Sequence, residues 1–543
     1  MGFRLTRRWR RYAVVLAIAI GLVFPAVAAL PAWAAYPGPN GLISLRAAAA
    51  TLTVCPSGCP YSQISDAVAA AHSGDTIQVA AGTYRGGFTI GVSVKIVGAG
   101  AGSTAISGGG PVITIGSFGA TTEPTVAIDA VTITGGVTRS TPESVGHCQL
   151  SAFGGGVEIP PNAHFNGGAT VTITNSVITA NAAEPAAASN GFACAGGGGI
   201  DNWGTLSLSN TTVSDNKVGG RLASHALGAG VLNWDTASLT DSTVSGNRGT
   251  TTGPNACNGN AVGGGIESFV KLTLSGGAVT NNAVELSSSV ISANCGQAGD
   301  GGILVHNGSA SINGTAVNGN QASATSRYGD ANAFSGGIGV ECGAAMMLRD
   351  STVSGNHVSA TTAAASATAN PTSGGIGICY PGHATISNTS ITGNVVDATA
   401  PAGVASAEAG GIQTGDTILS NSLVSGNRLT ASSETGSADV HGAGIQHGNG
   451  AMQVSGSTIS GNTGTATGPS GEALGGGIWN DLFFPGPPSP RLALVDTKVT
   501  NNALSASSGL TVHGGGLFTT FAVALTNSTI SGNSPDDCFG TSC

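Results

Sequence analysis

Charged side chains are scarce in this chain of 543 residues, because Asp, Glu, Lys and Arg together make up 8%, against about 25% in an ordinary globular protein. Only four lysines are present, and 27 acidic residues face 18 basic ones. This balance excludes the basic surface that a nucleic-acid-binding protein needs. Disorder driven by charge is excluded too, because 41% of the residues are apolar and recur in register.

Aromatic residues are also few, at 5%, and familiar catalytic signatures are missing. The sequence has no HExxH, GxSxG or P-loop motif and no calcium-binding nonapeptide repeat, so the chemistries that those motifs carry have no support. Paired CxxC motifs, which would favour zinc, are absent as well. We therefore expect no metal and no cofactor.

The chain instead repeats one phrase eleven times: an aliphatic residue, a second one five positions later, and Asn three positions after that. Leu208, Val213 and Asn216 form one copy, and a degenerate copy starts at Ile128. A Gly-Gly-aliphatic step precedes most copies, as at Ile200. Self-similarity at a period of 31 to 40 residues is typical of a solenoid.

Each phrase predicts two short strands, because apolar and polar residues alternate at period two. Asn, Asp or Gly stands two residues after the first aliphatic, which predicts a turn between the strands. Stacked coils would bury the aliphatics and align the repeat Asn as a ladder of amides; metal or ligand binding is the alternative. The Ala-, Ser- and Thr-rich segments between each Asn and the next Gly-Gly step would form a third wall or protruding hairpins.

The two-step phrase resembles the right-handed parallel β-helix proteins, above all the repeats of polymorphic outer-membrane proteins. Those repeats pair a GGA-I-like step with F-x-x-N, and V-S-D-N at 213–216 and V-S-G-N at 244–247 match the second part with Val for Phe. The resemblance spans roughly residues 120–533 and implies an all-β, right-handed, single-stranded parallel β-helix solenoid. No C-terminal translocator domain of that family is recognisable.

The segment YSQISDAVAAAHSGDTIQVAAGTYRGGFTI resembles the N-terminal part of pectin-lyase-like β-helices, and Ile64 and Val68 would share one face of a short capping helix. Strands are expected at 76–79, 88–90 and 94–97. The predicted organisation is a signal peptide over 1–34, a cap with the first coils over 50–115, β-helix repeats over 116–533, and a disulfide-closed C-terminal cap over 534–543.

The N-terminal 34 residues carry a basic region, RRWRR at 7–11, then an apolar core and an Ala-Trp-Ala cleavage site. A retained membrane anchor is the alternative. Cleavage removes five Arg and no acid, so 13 basic and 27 acidic residues remain and the formal charge falls from −9 to −14. We expect a secreted or cell-surface protein with no membrane span in the mature chain.

Ten cysteines, an even number, favour disulfides in an exported protein. Cysteines at similar registers of adjacent coils would lie about 5 Å apart. Zinc is the alternative. The spacing predicts five pairs: Cys55–Cys59, Cys148–Cys194, Cys257–Cys295, Cys342–Cys379 and Cys538–Cys543.

One row of the aligned coils is not uniform. Three positions after the Gly-Gly aliphatic, consecutive coils carry the candidate ligand-binding residues Trp203, Trp234, Phe269 and His306, followed by Glu341. The carboxylates Asp201, Asp235, Glu267 and Glu341 are weak catalytic candidates, because glycoside hydrolysis needs two. We expect these side chains to point outward, as a platform for sugar rings; rings buried by covering loops are the alternative.

Two functions follow from these patterns. The first is a non-enzymatic, adhesin-like or glycan-binding rod at or outside the cell surface, with an extracellular glycan or cell-surface molecule as its partner. The second is a polysaccharide lyase or glycoside hydrolase. β-Helix lyases, by family resemblance, use a basic residue and often calcium-binding acids, and no basic cluster lies beside acids in this sequence.

Overall fold

A computed structural model describes residues 49–141, 150–186, 193–220, 223, 225–252, 259–288, 297–482 and 491–540. The predicted signal peptide at 1–34 lies outside these residues. The described chain is all-β apart from one helix, Ile64–Ala70, and every strand pair in it is parallel. The predicted parallel β-solenoid is confirmed. No helix within the described ranges has the length and apolarity to span a bilayer.

Each full coil contributes one strand to each of five sheets, which we number as walls 1 to 5 in chain order. The strands of wall 1 are Thr51–Val54, Thr76–Val79, Lys95–Val97, Thr125–Asp129, Thr170–Thr174, Thr205–Ser209, Thr236–Thr240, Lys271–Ser275, Ser309–Asn313, Ala345–Arg349, His383–Ser387, Asp416–Ser420, Ala451–Ser455, Arg491–Val495 and Val523–Thr526. The strands of wall 2 are Gly82–Arg85, Thr104–Ser107, Thr132–Thr134, Val177–Thr179, Thr212–Ser214, Thr243–Ser245, Ala278–Thr280, Ala316–Asn318, Thr352–Ser354, Ser390–Thr392, Leu423–Ser425, Thr458–Ser460, Lys498–Thr500 and Thr529–Ser531.

Walls 3 and 4 come from the Ala-, Ser- and Thr-rich segments. The strands of wall 3 are Val137–Thr138, Ala182–Ala183, Lys217–Gly220, Arg248–Thr252, Ala283–Ser288, Gln321–Ser326, His357–Thr362, Val395–Thr399, Arg428–Ser432, Thr463–Thr467 and Ala503–Ala506. The strands of wall 4 are Leu150–Phe153, Ala193–Gly196, His225–Leu227, Asn260–Val262, Gln297–Gly299, Ala331–Phe334, Thr368–Thr372, Val404–Glu408, Ser437–His441, Ser470–Leu474 and Thr511–His513.

Wall 5 begins at the Gly-Gly-aliphatic step and closes each coil. Its strands are Phe88–Ile90, Ile113–Ile115, Val157–Ile159, Ile200–Asn202, Val231–Asn233, Ile266–Ser268, Ile303–Val305, Ile338–Val340, Ile376–Ile378, Ile412–Thr414, Ile445–His447, Ile478–Asn480, Leu517–Thr519 and Cys538–Gly540. The three strands predicted near the N-terminus are therefore present, although Val94 precedes its strand.

The aliphatics of the repeat stack in register, as the phrase predicted. Leu208 pairs with Leu239, which pairs with Leu274, and Val213 pairs with Val244 in the same coils. Walls 1, 2 and 5 enclose the main core of Val, Ile and Leu. Because their side chains are removed from water coil after coil, the stack has one continuous core.

The Ala-rich segments do more than add a third wall. Walls 3 and 4 pack on each other over a second core, which consists mostly of alanine with a few Val and Leu. The methyl side chains of Ala333 and Ala360 are fully buried there. Small side chains let the two walls lie close together, so each coil has two lobes: a large aliphatic one and a thin alanine one.

The predicted asparagine ladder is present and buried. The Nδ2 of Asn216 donates to Asn247 Oδ1 at 2.9 Å, and the backbone N–H of Asn216 donates to the same oxygen at 3.0 Å. The same pattern runs from Asn181 to Asn533. The Asn residues themselves do not have positive φ; the residue before each one does, such as Asp215 at 56°.

The asparagine ladder also explains the Gly-Gly step. A Cβ on Gly230 would lie 2.9 Å from Asn247 Nδ2 and 2.5 Å from the carbonyl oxygen of Gly265 in the next coil. No residue with a side chain fits at that distance. The turn between walls 1 and 2 is likewise confirmed, because Asn210 and Asp241 both have φ near 47°.

A ladder of hydroxyls beside that turn was not predicted. Ser242 accepts from the backbone N–H of Thr211 at 3.2 Å and donates to the Thr240 carbonyl at 2.9 Å. Ser or Thr recurs at this position in other coils, as in Ser422, which donates to Ser420 O. The hydroxyls satisfy buried backbone groups at a corner where the strand ladder is interrupted.

The N-terminal helix packs on the first strands of walls 1 and 5. Its apolar face is the predicted one: Ile64 and Ala67 are fully buried and Val68 is 7% exposed. The helix begins at Ile64 and ends at Ala70, which is shorter than the helical pattern in the sequence.

Two predicted disulfides are confirmed. Cys55 and Cys59 have Cα atoms 5.6 Å apart, and Cys342 and Cys379, in adjacent coils, have Cα atoms 4.7 Å apart. No described cysteine is free. The predicted pairs Cys148–Cys194, Cys257–Cys295 and Cys538–Cys543 each include at least one residue outside the described ranges.

Candidate functional site

The non-uniform row of side chains follows the strands of wall 5. Trp203, Trp234, Phe269, His306 and Glu341 are each the first residue after one of these strands. Backbone hydrogen bonds continue one residue past the strand ends, from Trp234 N to Asn202 O at 2.8 Å and from His306 N to Ser268 O at 2.8 Å. This keeps the five side chains in register from coil to coil.

Four of these side chains form a stack, which we call the aromatic ladder: Trp203, Trp234, Phe269 and His306. Their ring centroids are 4.7, 4.3 and 4.1 Å apart, and neighbouring rings are tilted by 16° or less. The rings are half-buried. Since each inner ring covers the faces of its neighbours, those faces are not available to a ligand, and only the ring edges reach solvent.

The ladder continues at its N-terminal end into two exposed rings. Phe165 lies edge-on to Trp203 at 6.0 Å, and Phe118 lies edge-on to Phe165 at 5.5 Å. Their exposed fractions are 52% and 42%. We call them the exposed phenylalanine pair. The amide of Asn162 lies in the turn that carries Phe165 and donates to Asn166 Oδ1 at 3.0 Å.

The sequence did not single out this pair, because neither ring occupies the aligned position after a wall 5 strand. The signal that could have found them is the isolated Phe in a polar segment, as in Pro-Asn-Ala-His-Phe-Asn over 161–166. An aromatic residue in such a setting has no core to join.

The other end of the ladder holds a cluster of titratable groups. His306 Nε2 lies 2.6 Å from Glu267 Oε1, and His306 Nδ1 lies 2.7 Å from Glu341 Oε2. Asp300 is buried beside them and is hydrogen-bonded to Ser335. We call Glu267, Asp300, His306 and Glu341 the acid–imidazole cluster.

Burial and charge set the protonation states in this cluster. Burial disfavours a charged His306, but hydrogen bonds and charges from Glu267 and Glu341 outweigh it and raise the pKa of His306 to about 10. Burial raises the pKa of Glu267 and raises that of Asp300 well above its ordinary value. Near neutral pH His306 is therefore an imidazolium, held between Glu267 and Glu341.

Asp300 is a residue that the sequence analysis missed. It has φ of 61° and occupies a left-handed turn position that the preceding coil fills with Gly263 and the following coil with Ser335. A Cβ on Gly339 would clash with the carboxyl oxygen of Asp300, so the absence of a side chain at 339 makes room for it. The sequence signal is Gly-Asp-Gly-Gly at 299–302, where an acid interrupts the glycine run.

Asp201 and Glu267 lie on the outer face of wall 5, as expected, but they are closed to solvent: Asp201 is 0% exposed and Glu267 is 1% exposed. The left-handed glycine at the end of wall 4 lies over the outer face of wall 5; a Cβ on Gly263 would be 2.6 Å from Glu267 Cβ. The turn between the two lobes therefore covers these acids.

The four candidate carboxylates do not form one site. Glu267 and Glu341 meet through His306. Asp201 accepts a hydrogen bond from Trp234 Nε1 at 3.0 Å and orients that ring, while Asp235 accepts from the hydroxyl of Thr236 at 3.2 Å. Among the described residues, no group of three or more His, Cys, Asp or Glu has the geometry of a metal site.

An open groove of about 860 Å³ runs along the outer face of wall 1 near its C-terminal end. Its lining includes His383, Asp416, Ile418, Gln453 and Arg491. The sequence analysis did not consider this face.

No family model matches the chain, and no curated protein matches it. Among solved structures, it is similar to the A-module of the Azotobacter vinelandii mannuronan C-5 epimerase AlgE6, at 14% identity over 85% of this chain and 93% of that one, with a TM-score of 0.30. It is also similar to pectin methylesterase PemA from Erwinia chrysanthemi, at 10% identity over 56% of this chain and 79% of that one, with a TM-score of 0.22. The parallel β-helix assignment stands on the sheet topology itself.

Proposed function

We propose that the protein is an extracellular β-helix rod that binds a glycan without cleaving it. The observation that carries this proposal is the exposed phenylalanine pair, Phe118 and Phe165, held at one end of the aromatic ladder. A solvent-exposed ring offers an apolar face on which a sugar ring packs, and nearby amides supply hydrogen bonds to hydroxyls.

The ladder gives this pair a rigid support. Trp203 contacts Phe165, and Trp203 is itself fixed by its stack on Trp234, whose Nε1 is bonded to Asp201. Rings held in one position lose little conformational entropy when a ligand binds. A polysaccharide lying along the coils would meet the exposed pair first and then the edges of the ladder.

Location outside the cytoplasm is part of the proposal. Disulfides such as Cys342–Cys379 join adjacent coils, and disulfides persist in oxidising compartments. The predicted signal over 1–34 agrees with export. A neutral glycan is the preferred ligand class, because an acidic rod repels polyanions.

The test is a glycan array followed by calorimetric titration of the best binder. We expect Phe165→Ala to weaken binding at least tenfold, since it removes the more exposed ring. Tyr328→Ala is the matched control: Tyr328 is 44% exposed but lies in the alanine lobe, and we expect no change. Binding that survives the double variant Phe118→Ala, Phe165→Ala would refute the assignment of the site.

The acid–imidazole cluster supports a second candidate function, hydrolysis or elimination of an extracellular polysaccharide. The specific observation is that the half-exposed carboxylate Glu341, bonded to His306, lies in the same cluster as the buried acid Asp300, and burial raises the pKa of Asp300, which suits a proton donor. Release of oligosaccharides from a polysaccharide panel, abolished in Glu341→Gln but kept in the exposed control Glu434→Gln, would establish this activity. Binding without release would favour the first proposal.

A further inference from the structure

The outer face of wall 1 carries a continuous field of hydroxyls over five consecutive coils. In each of these strands the second and fourth residues are buried, so the first, third and fifth point outward. Thirteen of the fifteen outward residues are Ser or Thr, and the other two are Lys271 and Asn313. We call these fifteen residues the hydroxyl face; they belong to the strands Thr170–Thr174, Thr205–Ser209, Thr236–Thr240, Lys271–Ser275 and Ser309–Asn313.

The hydroxyl face is a regular net. Its strands pair residue by residue without a shift, so Thr172 aligns with Ser207, and Ser238 aligns with Thr273. Residues at the same position in successive strands therefore form a column, and the face has three columns. Neighbouring strands lie about 4.8 Å apart, and alternate residues along one strand lie about 6.6 Å apart. The hydroxyls thus repeat in two directions at two fixed spacings.

Most of these hydroxyls are available to a ligand. The hydroxyl of Thr174 donates to Asp129 Oδ1 at 2.7 Å, and that of Thr236 donates to Asp235 Oδ1 at 3.2 Å. The other eleven hydroxyls of the face make no hydrogen bond to the part of the chain that the structure describes. They differ in this from the buried hydroxyl of Ser242, which satisfies backbone groups at the neighbouring turn.

The fold does not require Ser or Thr at these outward positions. Farther along wall 1 the middle column continues with Met347, which is 40% exposed, and later with Ile418, which is 49% exposed. The first column continues there with charged residues, Asp416 and Arg491. Since the same wall accepts bulky and charged side chains, the uniform hydroxyls of five successive coils favour a ligand that itself repeats in two directions.

We propose that the hydroxyl face binds the surface of crystalline ice. The prism face of hexagonal ice presents oxygen atoms in a rectangular net whose two repeats are close to the two spacings of the hydroxyl face. A hydroxyl both donates and accepts hydrogen bonds, so each Ser or Thr can take the place of one water molecule in that net. Many weak bonds that form together give a strong attachment.

The charge of the face agrees with this ligand. Ice carries no charge, and the face contains no acid, although the chain has 27 acidic residues and 18 basic ones. Its one charged residue, Lys271, lies in the first column rather than at the centre. A charged side chain holds its own hydration water and would disturb an ordered layer, so a neutral face is the suitable one.

A crystalline polysaccharide is the less suitable ligand. Sugar rings pack on aromatic side chains, and the hydroxyl face has none, because the ring stack from Trp203 to His306 follows wall 5 instead. Ice binding is therefore independent of the exposed phenylalanine pair, and either function can be lost without the other.

Partition of the purified protein between a slowly growing ice hemisphere and the remaining liquid tests the proposal. We expect the wild-type chain to be enriched in the ice, and Ser238→Lys to lower that enrichment at least tenfold, because it places a hydrated charge at the centre of the face. Thr385→Lys is the matched control: Thr385 lies in the same column, two coils beyond the face, and the enrichment of this variant should equal that of the wild type.

Ser238→Thr keeps the hydroxyl and should keep the enrichment, and circular dichroism with a thermal melt verifies that each variant is folded. A wild-type chain that stays in the liquid would overturn the proposal. So would enrichment that persists in Ser238→Lys, or that is lost equally in Thr385→Lys. Retention on crystalline cellulose but not on ice, abolished in Ser238→Lys, would also overturn it and would assign the face to a polysaccharide.

Discussion

Two ladders run along this molecule, and they differ in what they allow to vary. The asparagine ladder carries the same residue in eleven successive coils and is buried throughout most of its length. The aromatic ladder holds a fixed register after wall 5 but changes from Trp to Phe to His along it, and the next coil has Glu341 at the same position. The comparison teaches that a row whose side chains satisfy buried backbone groups keeps one residue type. A row whose side chains only stack on each other can change residue type, and so can include titratable groups such as His306.

The largest effect is expected when the invariant ladder is cut. Asn320 accepts two hydrogen bonds from Asn282 and donates to Val279 O and Asn356 Oδ1, all in the buried interior. Asn320→Ala removes the acceptor of the Asn282 backbone N–H and the donor to the Val279 carbonyl, and each buried group left unpaired costs about 1–3 kcal/mol. We expect a loss of roughly 3–5 kcal/mol in the free energy of unfolding in urea.

The control is Asn313→Ala, an exposed Asn in the same coil, for which we expect a change within about 0.5 kcal/mol. Equal effects of the two variants would mean that the amide stack adds nothing to stability.

The aromatic ladder should respond less strongly. Trp234→Ala removes two ring stacks and the hydrogen bond to Asp201. The ring is only half-buried, so water can fill part of the space that the ring leaves. We expect a loss of roughly 2–3 kcal/mol. Trp234→Phe keeps both stacks and should recover more than half of that loss. Failure of Phe to recover it would assign the stability to the indole N–H.

The free energy of unfolding should fall at alkaline pH because of the acid–imidazole cluster. The folded pKa of His306, about 10, is above the ordinary 6.5. The charged form therefore stabilises the fold fully below pH 6.5, and this stabilisation is lost as pH rises toward 10. Between pH 7 and 9 we expect a loss on the order of 2 kcal/mol that His306→Gln abolishes.

His383→Gln, at a side chain that is 64% exposed, serves as the control and should keep the alkaline loss. An unchanged pH profile in His306→Gln would contradict the assignment of the imidazolium.

His447, at the end of the wall 5 strand Ile445–His447, should change the stability with pH in the opposite direction to His306. His447 is buried and bonded to Asn480 Oδ1 at 2.7 Å, and burial lowers its pKa to about 4. Its contribution is present above pH 6.5 and is lost as pH falls toward 4. We expect a loss on the order of 1 kcal/mol between pH 7 and 5.5 that disappears in His447→Gln. The control variant His164→Gln, at an exposed residue, should keep this loss of stability at acid pH. If His447→Gln kept the loss and His164→Gln removed it, groups other than His447 would cause it.

The large aliphatic lobe, formed by walls 1, 2 and 5, could be predicted from the sequence because the residue pattern that specifies its strands is short and recurs in every coil. Period-two alternation around Leu208 and Val213, and a turn residue at Asn210, fix the two strands without any distant information. The asparagine ladder follows once the coils stack. The pairing of Cys342 with Cys379 follows for the same reason, since equal register means spatial contact.

The alanine lobe and the cluster could be predicted only in part. Ala-, Ser- and Thr-rich segments such as 357–373 carry a weak alternation that does not say whether two walls face each other. The burial of Glu267 depends on a turn from wall 4 that passes over wall 5, and a strand pattern alone does not reveal what covers its outer side. Asp300 was missed because the acid stands at a turn position that most coils fill with glycine, such as Gly263.

The register of the ladders has a consequence for the modularity of the chain. Asn216 and Asn247 are stacked equivalents, and so are the residues that follow them, Lys217 and Arg248. Deleting residues 217–247 would join Asn216 directly to Arg248, which already stacks on Lys217. The shortened protein would therefore lose one coil and keep every wall continuous. The length of such a molecule is set by its number of coils, and duplication or deletion of one coil can change that number while the other coils keep their structure.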